Sequence, residues 1–139
     1  MGEIKTTVQL ANYSDKILSN NPDKKYNGIR TYSMDALIDT GSVMFLLPQD
    51  ICEKLGLNIM NKVVVTYADE RKEERNVAGM VEITLCERTM VTDCIIGPPN
   101  CEALIGQLIL ERLDLIVDSS RQTIHPRPES PIYPSLKLK

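Results

Sequence analysis

The chain has 139 residues, 42% of them hydrophobic and 25% charged, which fits one globular domain large enough to bury a core of its own. Its net charge of −3 and pI near 5.2 argue against the basic stripe that a nucleic-acid surface needs. No run approaches the roughly 18 to 20 apolar residues of a membrane-spanning helix. The opening MGEIKTTVQL also lacks the layout of a secretory leader. A cytoplasmic protein is expected, with neither a membrane nor a nucleic acid as partner.

Taken in order, short strands dominate. Residues 4–10 read as a first strand, and the polar stretch 12–28 as a loop. The chain is extended again over 29–38, ending in the apolar run Ala36-Leu37-Ile38, and 43–47 is a second apolar run of strand length. Over 48–55 a short helix is expected, because Ile51, Cys52 and Leu55 share a face, Pro48 suits its start and Gly56 its end.

Val63-Val64-Val65 is β-branched and strand-like. After the charged run 69–75, the residues Val77, Gly79, Val81, Ile83 and Leu85 alternate with period two. Together these segments form a hairpin with a highly charged tip. A turn over 86–89 and a strand over 90–96 follow. Leu104, Ile105, Leu108, Ile109 and Leu113 recur at helical spacing and predict a second helix over 104–113. Residues 115–117 return to strand, 118–121 make a turn, and a tail from Pro126 holds four of the eight prolines. The order is mainly β with two short helices, and it suggests a small closed β-barrel over residues 1–125 with a proline-rich tail over 126–139.

Cys52, Cys86, Cys94 and Cys101 contain no C-x-x-C pair, and the single histidine, His125, lies beside Pro126 and reads as a loop residue rather than a catalytic base. Neither a metal centre nor a disulfide framework is indicated, and no cofactor is expected. The thiols read as small buried hydrophobes.

One segment carries chemistry. Asp39-Thr40-Gly41-Ser42 stands directly after the apolar strand end Ala36-Leu37-Ile38. An acid there is partly desolvated unless donors surround it. Gly41 lets backbone N–H groups approach the carboxylate, and Thr40 and Ser42 supply hydroxyls that can tie the loop down.

The segment 36–42 resembles the catalytic loop of the retropepsin and pepsin clan of aspartic proteases. Downstream, Leu104-Ile105-Gly106 resembles that clan's second signature, the loop behind the site. The run 104–118 is similar to the corresponding block of bacterial retropepsin-like proteins. Between them, 64–81 falls where the family places its flap, with Ala68, Asp69 and Glu70 toward the tip.

The resemblance implies a retropepsin-type barrel and an endopeptidase whose catalytic residue is Asp39, supported by Thr40, Gly41 and Ser42. Aspartic proteolysis uses two carboxylates sharing one proton. This chain has a single Asp-Thr-Gly, and Asp118-Ser119-Ser120 lacks the glycine and reads as a surface turn. A two-lobed chain would need about twice this length. The second Asp39 is therefore expected from a second copy in a two-fold homodimer acting on peptide or protein substrates.

By the same resemblance, Thr40 would bond across the dimer and Ser42 would contact the outer carboxylate oxygen, favouring work in mildly acidic conditions. Three departures stand out: the flap tip is charged rather than glycine-rich, Gln107 replaces an arginine after the glycine, and the tail is rich in proline. They leave open an alternative, a retropepsin-like dimerisation or peptide-binding module with weak or no hydrolysis.

Overall fold

The computed structural model describes residues 3–20 and 28–138. Its strands are β1 (Ile4–Asn12), β2 (Thr31–Ile38), β3 (Leu46–Pro48), β4 (Asn58–Thr66), β5 (Lys72–Leu85), β6 (Arg88–Gly97), β7 (Ala103–Ile105), β8 (Leu115–Asp118) and β9 (Thr123–Pro126). Its helices are α1 (Tyr13–Ser19), α2 (Gln49–Leu55) and α3 (Gln107–Arg112).

Six strands close into a barrel in the order β1-β2-β7-β3-β6-β5, and β5 returns to pair with β1 from Gln9↔Thr84 to Asn12↔Val81. Closure leaves no open edge within the ring. Inside it lie Val8, Leu10, Ile38, Leu47, Val81, Ile83 and Ile105, all buried, each from an alternating position that the period-two pattern sends inward. Phe45 and the buried faces of α2 and α3 complete the core. β4 lies outside the ring and pairs with the first half of β5, so the two strands leave the barrel as a long hairpin.

β5 serves both structures, and the register shifts between Ala78 and Val81 where it passes from one to the other. Such an irregularity lets a 14-residue strand bend. The period-two set Val77, Gly79, Val81, Ile83 and Leu85 is buried throughout, and among the residues between them only Ala78 is buried as well.

Four expectations need correction. The 12–28 stretch is not all loop: α1 occupies Tyr13–Ser19, capped by Asn12, whose side chain accepts the Asp15 N–H at 3.0 Å. Buried Asp15 in turn holds the Arg30 guanidinium at 2.9 and 3.0 Å. Residues 21–27 of that stretch lie outside the described ones. Strand is confined to Leu46–Pro48, because residues 42–44 are used as a loop against Gly106.

The helical spacing from Leu104 also misled. Leu104 and Ile105 belong to β7, paired with β2 on one side and β3 on the other, and the helix begins only at Gln107. A three-residue apolar run between two strands satisfies either period, and here the sheet takes it. The helices thus number three among the described residues rather than two. Finally, His125 lies in β9 opposite Ile116, not in a loop.

The chain after β9 is clasped to the body. Arg88, itself buried, donates to the carbonyls of Leu113, Asp114 and Ser130. The Asp114 carboxylate accepts the Ser130 hydroxyl, the Ser135 N–H and the Arg127 guanidinium. Among the described residues, no helix is long and apolar enough to cross a membrane.

Candidate active site

β2 ends at Ile38 because its parallel partner β7 ends at Ile105. The next residue is Asp39, and its N–H still donates to the Ile105 carbonyl at 2.9 Å, so the acid is held by the backbone at the rim of the barrel. The chain then turns: the Ser42 N–H reaches the Asp39 carbonyl at 3.1 Å. The turn brings the Gly41 N–H to Asp39 Oδ1 at 3.1 Å. A Cβ on Gly41 would lie only 3.3 Å from that oxygen, so glycine keeps the donor close. Asp39 is half-buried, while Thr40 and Gly41 are exposed beside it.

Gly106 is the floor of this loop. A Cβ there would sit 2.5 Å from the Met44 carbonyl oxygen, 2.7 Å from that of Ser42 and 2.7 Å from Val43 C. These are backbone atoms with no room to yield. Immediately beyond, Gln107 N–H donates to the Ser42 carbonyl at 2.8 Å and Leu108 N–H to that of Val43 at 3.1 Å. The start of α3 therefore caps itself on the carbonyls of the loop. Leu104, Ile105 and Gly106 thus stand directly behind the loop 39–42.

Other placements differ from expectation. Ser42 Oγ turns toward the Met44 carbonyl, at 3.5 Å, rather than toward the carboxylate. A groove of about 460 Å³ borders Asp39 and Thr40 and is also lined by Ile4, Val117, Ser119 and Gln122. Those last residues come from β1 and the β8–β9 hairpin, which sequence reasoning did not connect with the site. They carry no local motif; only the closure of the chain around Asp39 marks them. Asp118 is a turn-former, accepting the Ser120 hydroxyl at 2.7 Å and the Arg121 N–H at 3.2 Å, and these donors hold its carboxyl below the ordinary range.

Ala68, Asp69 and Glu70 lie at the tip of the β4–β5 hairpin, but the turn is shorter than the charged run: Lys72 to Arg75 are already strand, paired with Val63 to Thr66. The turn is closed by Tyr67 N–H to Arg71 O and Glu70 N–H to Tyr67 O, each at 2.9 Å. Arg71 lies over the Tyr67 ring at 4.5 Å and pairs with Glu73, which also takes Arg75. The tip is thus fastened by contacts within its own hairpin. Among the described residues no group of three or more metal-ligating side chains comes together.

Among solved structures, the chain is similar to EIAV protease complexed with the inhibitor HBY-793, with a TM-score of 0.55, 16% identity, and coverage of 81% of this chain and 88% of that one. The fold is that of the retropepsins. In the retropepsin barrel of this chain, the Asp39 loop, the hairpin and the Leu104-Ile105-Gly106 strand occur in the chain order that the sequence resemblance implied. The likeness reaches the retropepsin fold and does not single out bacterial members. No protein-family model matches the chain, and no curated protein sequence matches it.

Proposed function

We propose that the protein is an aspartic endopeptidase that works as a two-fold homodimer, each copy supplying one Asp39. The observation that carries this reading is the Asp39 loop itself. A lone Asp-Thr-Gly stands at the rim of a retropepsin barrel, its carboxylate held by the Gly41 N–H, its backbone tied to Ile105 and the residues that follow it packed on Gly106. Two facing carboxylates cannot both ionise, so they share a proton. The ionised one takes a proton from a water whose oxygen attacks the scissile carbonyl carbon, and the protonated one donates to the carbonyl oxygen. Collapse of the resulting diol expels the amine, which leaves with a proton.

Exposed apolar side chains beside the loop support the dimer. Val43 is 62% and Leu108 46% exposed, and the two are joined through a backbone hydrogen bond, so they offer apolar surface for a second copy to bury. Thr40 is exposed on the same rim, where its hydroxyl can bond the facing loop. An extended peptide would lie between hairpin and loop as an added strand.

The test is digestion of a peptide library from about pH 4 to 8, beside an Asp39→Asn variant. Cleavage in acid that the variant lacks is expected; cleavage that persists in the variant sinks the mechanism. Sedimentation adds a second arm, since an active protein that is strictly monomeric contradicts a shared site. One observation favours the alternative of a peptide-binding module without hydrolysis: the charges at the tip are already engaged with one another. That reading expects equal peptide binding, and no cleavage, by both proteins.

A further inference from the structure

The four thiols are not equivalent. Cys52, on the buried face of α2, and Cys94, in β6, lie 42 residues apart in sequence with their sulfurs 3.9 Å from each other. By contrast, Cys86 Sγ is turned to the Ile124 carbonyl and Cys101 Sγ lies against Gly97. A disulfide needs a separation of ~2.05 Å, so each sulfur of the close pair has to move by about 1 Å. Cys94 is wholly buried, whereas Cys52 lines a groove of about 310 Å³ between α2, the foot of the β4–β5 hairpin and β6. Cys52 is itself only 3% exposed, so it meets that groove through a small opening, and Cys94, at 0%, lies behind it.

We propose that Cys52 and Cys94 are a redox modification site, closed to a disulfide by a peroxide and reopened by a dithiol. The two sulfurs share a hydrogen bond that holds the Cys52 thiol below its usual range and the Cys94 thiol above, and Cys52 is also the one that faces the groove, so it is the first to react. Its thiolate attacks one oxygen of hydrogen peroxide, the O–O bond breaks, and hydroxide leaves and is protonated to water. Cys52 is then a sulfenic acid. The Cys94 sulfur attacks the Cys52 sulfur, the S–O bond breaks, and the departing hydroxide takes the Cys94 proton. Two thiols and one peroxide become one disulfide and two waters.

The loop that this bond closes, 52–94, contains the whole of β4 and β5. Oxidation therefore cross-links the middle of α2, the helix before β4, to β6, where Cys94 lies opposite Ala78 of β5. The site stands whether or not Asp39 is catalytic.

The experiment is peroxide titration of the full chain, followed by alkylation under denaturing conditions and a non-reducing peptide map. The expected result is loss of two of the four thiols, a peptide pair linking Cys52 to Cys94, full recovery with dithiothreitol, and a thermal midpoint several degrees higher when oxidised. In a Cys94→Ser variant the reaction should stop at a Cys52 sulfenic acid that dimedone traps. A Cys86→Ser, Cys101→Ser double variant should form the link unchanged. Retention of all four thiols at excess peroxide, a link involving Cys86 or Cys101, or irreversible oxidation of Cys52 without a link would each overturn the proposal.

Discussion

The Asp39 loop and the hairpin above it are held by different physics. The loop is fastened backbone to backbone: Asp39 to Ile105, Ser42 to Gln107 and Val43 to Leu108, with Gly106 filling the space where any side chain would collide. The hairpin tip has two backbone bonds of its own turn, and beyond them only side-chain contacts in water, through Arg71, Tyr67, Glu73 and Arg75, on a β4 strand that is mostly exposed. Backbone contacts of the first kind leave a carboxylate in one place, which catalysis by a paired acid requires. Surface contacts of the second kind break and re-form easily, which would suit the hairpin as a flap if the proposed protease reading holds. Rigidity at the floor and lability at the tip are each written in the residue types used.

The largest effects should fall on the floor. Asp39→Asn keeps size and hydrogen-bonding capacity but cannot act as a base, so activity should drop by at least about 10³-fold. Thermal unfolding should barely move, and a large loss of stability would mean that the carboxylate is structural. Gly106→Ala tests the brace rather than the acid. Its methyl group meets three backbone atoms within 2.7 Å, so the cost should be about 3 kcal/mol in denaturant unfolding, with cleavage falling alongside. A neutral Gly106→Ala would show that the loop is softer than its bonds imply.

Much of this contrast is legible in the sequence, and the failures share a cause. Asp39-Thr40-Gly41-Ser42 after an apolar strand, and Leu104-Ile105-Gly106 downstream, point to the floor because chemistry restricts which residues can stand there. The charge of the tip is equally plain. What is hidden is pairing. Whether Leu104 and Ile105 are helix or strand depends on β2 and β3 lying to either side, and no local period reports that. The same holds for Ile4, Val117 and Ser119, which reach the groove at Asp39 only because the chain closes there. α1 is a different kind of miss. Asn12 followed three residues later by Asp15 is a capping signal that was present, though the polar run around it reads as loop.

The clasp on the chain after β9 lies between these two kinds of region and sharpens the comparison. Arg88 is a buried cation spent on carbonyls at the end of α3 and in the tail, where the helix dipole favours it. Arg88→Met should cost about 3 kcal/mol by leaving those carbonyls unmet, an effect of the size expected on the floor. Asp114 gives a smaller, pH-dependent effect. The Ser130 hydroxyl, the Ser135 N–H and Arg127 hold its carboxyl below the ordinary carboxylate value, so the folded state binds that proton more weakly than the unfolded chain. Its stabilisation is complete above the ordinary value of 3.8 and is lost as pH falls below it toward the lowered folded value. Acid unfolding of Asp114→Asn should lack that component, and an identical acid limb in both proteins would count against the clasp.

The smallest effect is expected at the tip, and it tests the idea of a labile lid most directly. Arg71 stacks on Tyr67 and pairs with Glu73, yet its side chain is 61% exposed. A cation as exposed as this one contributes about 0.5 to 1 kcal/mol over a ring, and the ion pair adds little once salt screens it. Arg71→Ala should therefore shift unfolding by less than about 1 kcal/mol at low salt, and the difference should shrink further near 0.5 M salt. If the variant loses much more, or if salt leaves the difference unchanged, the tip is anchored as firmly as the floor and the contrast between the two regions fails. If the prediction holds, hydrogen exchange at the Tyr67 and Glu70 amides should run far ahead of that at Asp39, Gln107 and Leu108, because the tip opens when surface contacts break and the floor opens only with the barrel.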